Sequence, residues 1–306
     1  MKIKILGSAA GGGFPQWNCN CVQCLGYRQG LNESTSRTQS SAAVKGIGDQ
    51  WVLLNASPDI RSQVEQFIPL SADAPIRSSP IAAVVLTDSQ LDHVSGLLFL
   101  REGRVKLIVY CTDQVYEDLM VGFPVFKILE SYCGVERRLL SIEGDYFEIP
   151  EAPGVKFKAI PVSGKAPPYS PHRGNETQGH NVALTIMCSK SGKTAFYAPG
   201  LETSTVQGVD QVLDESDLIM ADGSFWSEEE LITSGCGKKT ASEMGHLAIG
   251  GHTGMMEYLS RYKKSRKILV HINNTNPILD EHSQERKYLL NRGIEVGLDG
   301  LEIELS

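Results

Sequence analysis

No stretch of the 306 residues approaches the roughly 18 consecutive apolar positions a membrane-spanning helix needs, so bilayer insertion is not expected. Runs of lysine or arginine are also missing. With 29 basic against 36 acidic side chains the formal charge is −7, which disfavours nucleic acid and anionic surfaces and leaves a small molecule as the expected partner. Internal repeats, heptads and low-complexity segments are absent. The N-terminal MKIKILGSAAGGG offers only about five residues before its glycines, too few for a signal-peptide apolar region, so a cytoplasmic location is expected. Cysteines number seven, an odd count that argues against a disulfide framework in a reducing compartment.

What is present can fold. Hydrophobic residues make up 41% of the chain and charged ones 21%, enough apolar surface for a large core, and the chain is read as a single domain over 1–306. Short β-branched runs bounded by Gly, Pro, Asn or Asp predict strands at Lys2–Leu6, Ser41–Val44, Trp51–Asn55, Ile81–Leu86, Leu107–Cys111, Val155–Pro161, Asn181–Met187, Lys193–Ala198, Leu218–Ala221, Lys267–His271 and Glu302–Leu305. Helical periodicity appears at Ser57–Phe67, Val94–Leu100, Thr112–Met120, Val125–Ser131, His252–Tyr262 and His282–Asn291. Both halves read as strands followed by helices, compatible with two sheets face to face under outer helices. The polar stretches 69–80 and 164–179 predict irregular connections, the second long enough to serve as a functional rim.

Cys19, Cys21 and Cys24 place three thiols within six residues, close enough for a turn to gather all three sulfurs round one ion. Structural zinc takes four ligands in a tetrahedron, so one is missing locally. His246 is the expected fourth, giving a cysteine-rich zinc loop over about residues 14–30, with His252 as the other candidate; one of these two histidines could instead face a second, open metal position. Cys111, Cys133, Cys188 and Cys236 read as isolated buried thiols, and His172 and His180 as surface histidines.

The segment Ile81–Leu97 reads as an apolar strand, a polar turn and a helix. Its turn, Thr87-Asp88-Ser89-Gln90-Leu91-Asp92-His93-Val94-Ser95-Gly96, resembles the T-H-x-H-x-D-H-x-x-G motif of the metallo-β-lactamase superfamily, with Asp88 and Gln90 standing where that motif has its first two histidines. The fold that the resemblance implies is an α/β, four-layer αβ/βα sandwich. It implies two metal positions. The later histidine expected after Ile160-Pro161-Val162 is absent, since Ser163-Gly164-Lys165 stands there, and Tyr197-Ala198-Pro199-Gly200 lacks the expected bridging aspartate. One position is thereby stripped, and the other keeps Asp92, His93 and the strand-end His271 as ligands.

Two histidines and one carboxylate with the remaining positions open are the ligand set of non-haem Fe(II) oxygenases. Removing a metal position weakens a hydrolytic reading. Asp88 is then the expected base or proton relay, Gln90 a hydrogen-bond donor, and Asp222, at the end of the apolar strand Leu218–Ala221, a further residue lining the cavity.

The longer resemblance runs from Gly7–Cys19 through Asn55-Ala56-Ser57-Pro58-Asp59 and Gly245-His246 to Val270-His271-Ile272-Asn273-Asn274-Thr275-Asn276-Pro277. In this combination the chain resembles the PqqB family of pyrroloquinoline quinone (PQQ) biosynthesis, and its cysteine trio is similar to the zinc knuckle of PhnP phosphodiesterases. That resemblance implies structural zinc and PQQ or a PQQ precursor as the small-molecule partner. It implies either iron-dependent hydroxylation of the tyrosine ring of a Glu–Tyr-derived precursor or a non-catalytic carrier role that assists transport of PQQ or its precursor to the periplasm. The oligomeric state is left open.

Overall fold

The computed structural model describes residues 1–203 and 208–306. Its strands are β1 (Lys2–Gly7), β2 (Ser41–Lys45), β3 (Trp51–Leu54), β4 (Ile81–Val85), β5 (Leu107–Cys111), β6 (Val135–Leu139), β7 (Phe147–Glu148), β8 (Val155–Pro161), β9 (Val182–Cys188), β10 (Thr194–Ala198), β11 (Leu218–Asp222), β12 (Arg266–Val270), β13 (Ile294–Val296) and β14 (Glu302–Glu304). The helices are α1 (Val22–Gln29), α2 (Ile60–Phe67), α3 (Leu91–Val94), α4 (Asp113–Val121), α5 (Val125–Leu129), α6 (Val209–Glu215), α7 (Glu230–Thr233), α8 (Met255–Leu259) and α9 (Gln284–Asn291).

The strands form two seven-stranded sheets, ordered β14-β1-β2-β3-β4-β5-β6 and β13-β12-β11-β10-β9-β8-β7. Alternation sets the faces. In β8, for example, Val155, Phe157 and Ala159 turn inward between half-buried lysines. One apolar cluster joins the sheets face to face: Ile3, Val44, Val52, Leu54 and Val85 from the first meet Phe157, Leu184, Ile186, Met220 and Ile268 from the second. A second cluster packs α2, α4 and α5 onto the outer face of the first sheet through Ile60, Val115, Leu119, Phe126 and Leu129. A third packs α6, α8 and α9 onto the outer face of the second through Leu213, Tyr258, Leu259 and Leu289, and takes in Cys21 and Cys24. The four layers are the expected sandwich.

Every expected strand is present within a residue or two at its ends, while α1, α6, α7, β6, β7 and β13 are additional. The stretch 164–179 contains no helix or strand, as expected. At one end of the sandwich the two halves are also hydrogen-bonded to each other, and the candidate metal ligands gather there. There the Ala10 amide donates to the Ile272 carbonyl (2.9 Å) and the Val182 amide to the Thr87 carbonyl (2.8 Å).

Candidate metal centres

The first centre is built at α1. Cys19 Sγ lies 3.7 Å from Cys236 Sγ, and Cys19, Cys21 and Cys236 offer sulfurs within 4.8 Å of one another. Two sulfurs on a tetrahedral zinc at about 2.3 Å stand about 3.8 Å apart, so the Cys19–Cys236 spacing is that of a zinc edge. Cys24 lies beside them: the Asn274 side-chain amide is 3.2, 3.6 and 3.4 Å from the sulfurs of Cys19, Cys21 and Cys24.

Neither histidine completes this cluster. His252 is exposed, and His246 bonds Asp222 in the other centre. Cys236, expected to be an isolated buried thiol, is exposed and takes the fourth place. It lies 212 residues after Cys24 in a Gly-Cys-Gly turn with no apolar periodicity round it, so nothing local marked it.

The second centre lies where β4, β11 and β12 end, the edge at which open α/β sheets place their ligands. The chain leaves β4 through Thr87, turns at Ser89–Gln90 and starts α3, which carries Asp92 and His93. This turn packs tightly, since a Cβ on Gly96 would stand 2.1 Å from the Ser57 carbonyl oxygen. His271 follows β12 with φ 57°, a left-handed conformation that a side chain seldom adopts outside sites that need it. Asp92, His93 and His271 bring one ligand atom each within 4.8 Å, and so do Asp222, His246 and His271. His271 Nε2 lies 3.2 Å from Asp92 Oδ2. The rings of His246 and His271 stack at 5.2 Å.

These groups line a cavity of about 220 Å³ together with Gly11, Asp88, Gln90, Lys165, Asn181 and Asn273. Gln90 stands at its wall, its amide donating to the Lys165 carbonyl (2.8 Å) and thereby fixing the long 164–179 segment to the rim. Lys165 Nζ pairs with Glu202 at 3.0 Å. His180, expected at the surface, is instead buried.

Asp88 does not stand free as the expected base. Its two oxygens each lie 2.8 Å from His93 Nδ1, and they also accept the Thr87 hydroxyl and the Gln90 amide, both at 2.9 Å, so the carboxylate is taken up by protein groups. Asp222, expected to line the cavity, is fully buried behind it. Its carboxylate accepts from the Ser224 hydroxyl (2.6 Å), the Ser224 amide (2.9 Å) and the Leu201 amide (3.2 Å), and bonds His246 Nδ1 at 2.6 Å. Ser224 Oγ lies in turn 2.8 Å from His271 Nδ1.

Three buried or nearly buried carboxylates face three imidazoles. Burial opposes ionisation of Asp92, yet His93 and the His271 hydrogen bond hold its carboxyl well below the usual carboxylate range. Burial likewise opposes protonation of His93, but Asp88 and Asp92 raise it to about 9. Such a site holds positive charge. The test of whether that charge can be a metal ion is His93 Nε2, a buried nitrogen with no hydrogen-bond partner that sits beside an ionised carboxylate and a second imidazole. An unpaired buried nitrogen carries a cost of about 1–3 kcal/mol, which a metal–nitrogen bond removes. The donor set fits a metal ion.

Residues 50–272 match the beta-lactamase superfamily domain. The coenzyme PQQ synthesis protein B of Methylobacillus flagellatus is 49% identical over 306 residues, and that of Pseudomonas putida (strain GB-1) 48% identical over 307, with 100% of both chains covered in each case. The chain belongs to the PqqB family. The crystal structure of Zn(2+)-bound PqqB from Methylobacterium extorquens superposes with a TM-score of 0.90 at 36% identity, covering 100% of each chain. A diphosphatase of the PhnP family shares the fold, with a TM-score of 0.69 at 20% identity over 100% of this chain and 98% of its own. Within the PqqB fold, then, a zinc-bound relative accompanies two clusters whose donor atoms are spaced for metal, one of thiolates and one of imidazoles and carboxylates.

Proposed function

We propose that this PqqB-family chain serves PQQ biosynthesis as a metal-dependent hydroxylase acting on the tyrosine ring of a Glu–Tyr-derived precursor. The observation that carries the reading is the convergence of Asp92, His93 and His271 on one cavity, with the ligating nitrogen of His93 buried and unpaired. Two histidines and a carboxylate suit iron(II), which when bound would supply activation of O2 with room left for substrate. The cysteine cluster, closed by four sulfurs, suits a structural zinc that leaves no position open.

The chain's own residues do the rest. The cavity of about 220 Å³ admits an aromatic ring better than a whole dipeptide, so the amino-acid portion of the precursor extends past Lys165 at the rim. Gln90, Asn181 and Asn273 line the cavity that would receive the ring, as does His246, whose Nδ1 is held by Asp222. Adding one oxygen atom of O2 to a phenol releases the other as water and consumes two electrons and two protons, so an external two-electron reductant is a co-substrate.

The test loads the protein with Fe(II) without oxygen, adds a tyrosine-containing precursor and a reductant, and admits O2. The expected product is heavier by one oxygen atom, and its formation is lost in His93→Ala. Tight binding of precursor or PQQ with no such product from iron-replete protein would overturn the hydroxylase and leave a carrier.

A further inference from the structure

Asp88 stands three residues beyond the end of β4, and its surroundings single it out. Both of its oxygens lie 2.8 Å from His93 Nδ1. A third contact comes from the Thr87 hydroxyl at 2.9 Å and a fourth from the Gln90 amide at 2.9 Å. Thr87 is itself held: Asn55 takes the Thr87 amide on its side-chain oxygen (2.9 Å) and turns its own NH2 to the Thr87 hydroxyl (2.9 Å). Asn55 adopts φ 63° at the end of β3, a left-handed turn that aims this amide across to the neighbouring strand. Asn55, Thr87 and Asp88 are all buried, with at most 5% exposure, so the chain of contacts runs through the interior from one strand end to the next.

A carboxylate that accepts the Nδ1–H hydrogen bond leaves Nε2 as the nitrogen whose lone pair is available when the ring binds a metal ion. In His93 that Nε2 is the buried nitrogen without a partner, and it belongs to the cluster with Asp92 and His271. The ring cannot turn over to offer Nδ1 without breaking its contacts to Asp88.

We propose that Asp88 is a positioning residue: through His93 Nδ1 it sets the tautomer and angle of the His93 ring for a single metal ion, and it is neither a ligand nor the group that exchanges protons with substrate. The proposal rests on the reading of the Asp92–His93–His271 cluster as a metal centre. It does not depend on the reaction. Asn55 and Thr87 are the support behind the carboxylate, so a change at Thr87 acts in the same direction and more weakly.

The experiment titrates Co(II) into metal-free full-length protein and into Asp88→Asn, Asp88→Glu and Thr87→Val, following the ligand-field absorption of the cavity ion. The charge-transfer band of thiolate-bound cobalt reports the cysteine cluster separately and confirms that each variant is folded. Expected are one cavity ion in wild type, an affinity lower by about 10–100-fold with an altered ligand-field spectrum in Asp88→Asn, a smaller loss in Thr87→Val, partial recovery in Asp88→Glu, and an unchanged thiolate band throughout. A cavity affinity and spectrum in Asp88→Asn identical to wild type would overturn the positioning role alone. A wild type holding two cavity ions, one of them lost in Asp88→Asn, would make Asp88 a ligand and overturn it too. Failure of wild type to bind cobalt at the cavity, with the thiolate band intact, would overturn the metal reading beneath it.

Discussion

At the scale of single residues, the two centres differ in what the amino-acid pattern discloses. Cys19, Cys21 and Cys24 are adjacent in sequence and could be read together, as could Asp92 and His93 on one turn. Cys236, Asn274 and Ser224 reach their partners only because the second sheet delivers their loops to the same edge, and no local spacing carries that information. The placement of Asp88 and Asp222 is illegible in sequence for a related reason. A carboxylate beside a metal position looks the same in sequence whether it faces substrate or the back of a histidine, and only the distances to His93 Nδ1 and His246 Nδ1 separate the two. Cys236 offers a clean test because it is exposed. In metal-free protein a serine at a surface position shifts stability by no more than about 0.5 kcal/mol. We expect Cys236→Ser to lower zinc content and melting temperature, and expect the melting difference from wild type to vanish in strong chelator. A difference that persists unchanged in chelator would assign the loss to packing instead of zinc.

At the scale of elements, the strands were legible because apolar, β-branched runs bounded by turn residues define them, and β1, β4, β8 and β12 all carry such runs. Those missed have weaker patterns. The edge strand β6 reads Val-Glu-Arg-Arg-Leu, β13 has three residues, and α1 holds one cysteine, Cys24, and little buried apolar surface. The short helix α7 is secured by one side chain. Glu230, at its start, accepts the Thr275 hydroxyl and the Trp226 amide, both at 2.5 Å, and so ties α7 to the loop that carries Asn273 and Asn274. Burial pushes the Glu230 carboxyl up from 4.5 to about 7 even though both hydrogen bonds favour its ionised form. A folded value above the unfolded one means that the protonated group's contribution is complete below about pH 4.5 and is lost as pH rises to about 7. The full effect is on the order of 3 kcal/mol. Glu230→Gln should therefore remove a decline in unfolding free energy between these pH values, measured by denaturant titration at a series of pH. An identical decline in the variant would exclude Glu230 as its source.

At the scale of the molecule, the fold is held by its three apolar clusters more than by surface charge. A buried Leu, Ile or Phe contributes about 1.5–3 kcal/mol, whereas an exposed pair such as Arg61–Glu65, at 3.9 Å and with both side chains mostly in solvent, contributes less than about 1 kcal/mol. This division leaves the sheet edge free for function. The polar groups that would weaken an interior are concentrated there, and the hydrophobic layers on either side hold them in place. The whole account turns on metal occupying that edge. Its most direct measurement is anomalous diffraction from crystals of the protein loaded with zinc and iron, collected on both sides of each metal's absorption edge. The account predicts two peaks per chain: zinc within Cys19, Cys21, Cys24 and Cys236, and iron within Asp92, His93 and His271. A cavity with no anomalous peak in protein whose cysteine site is filled would contradict it.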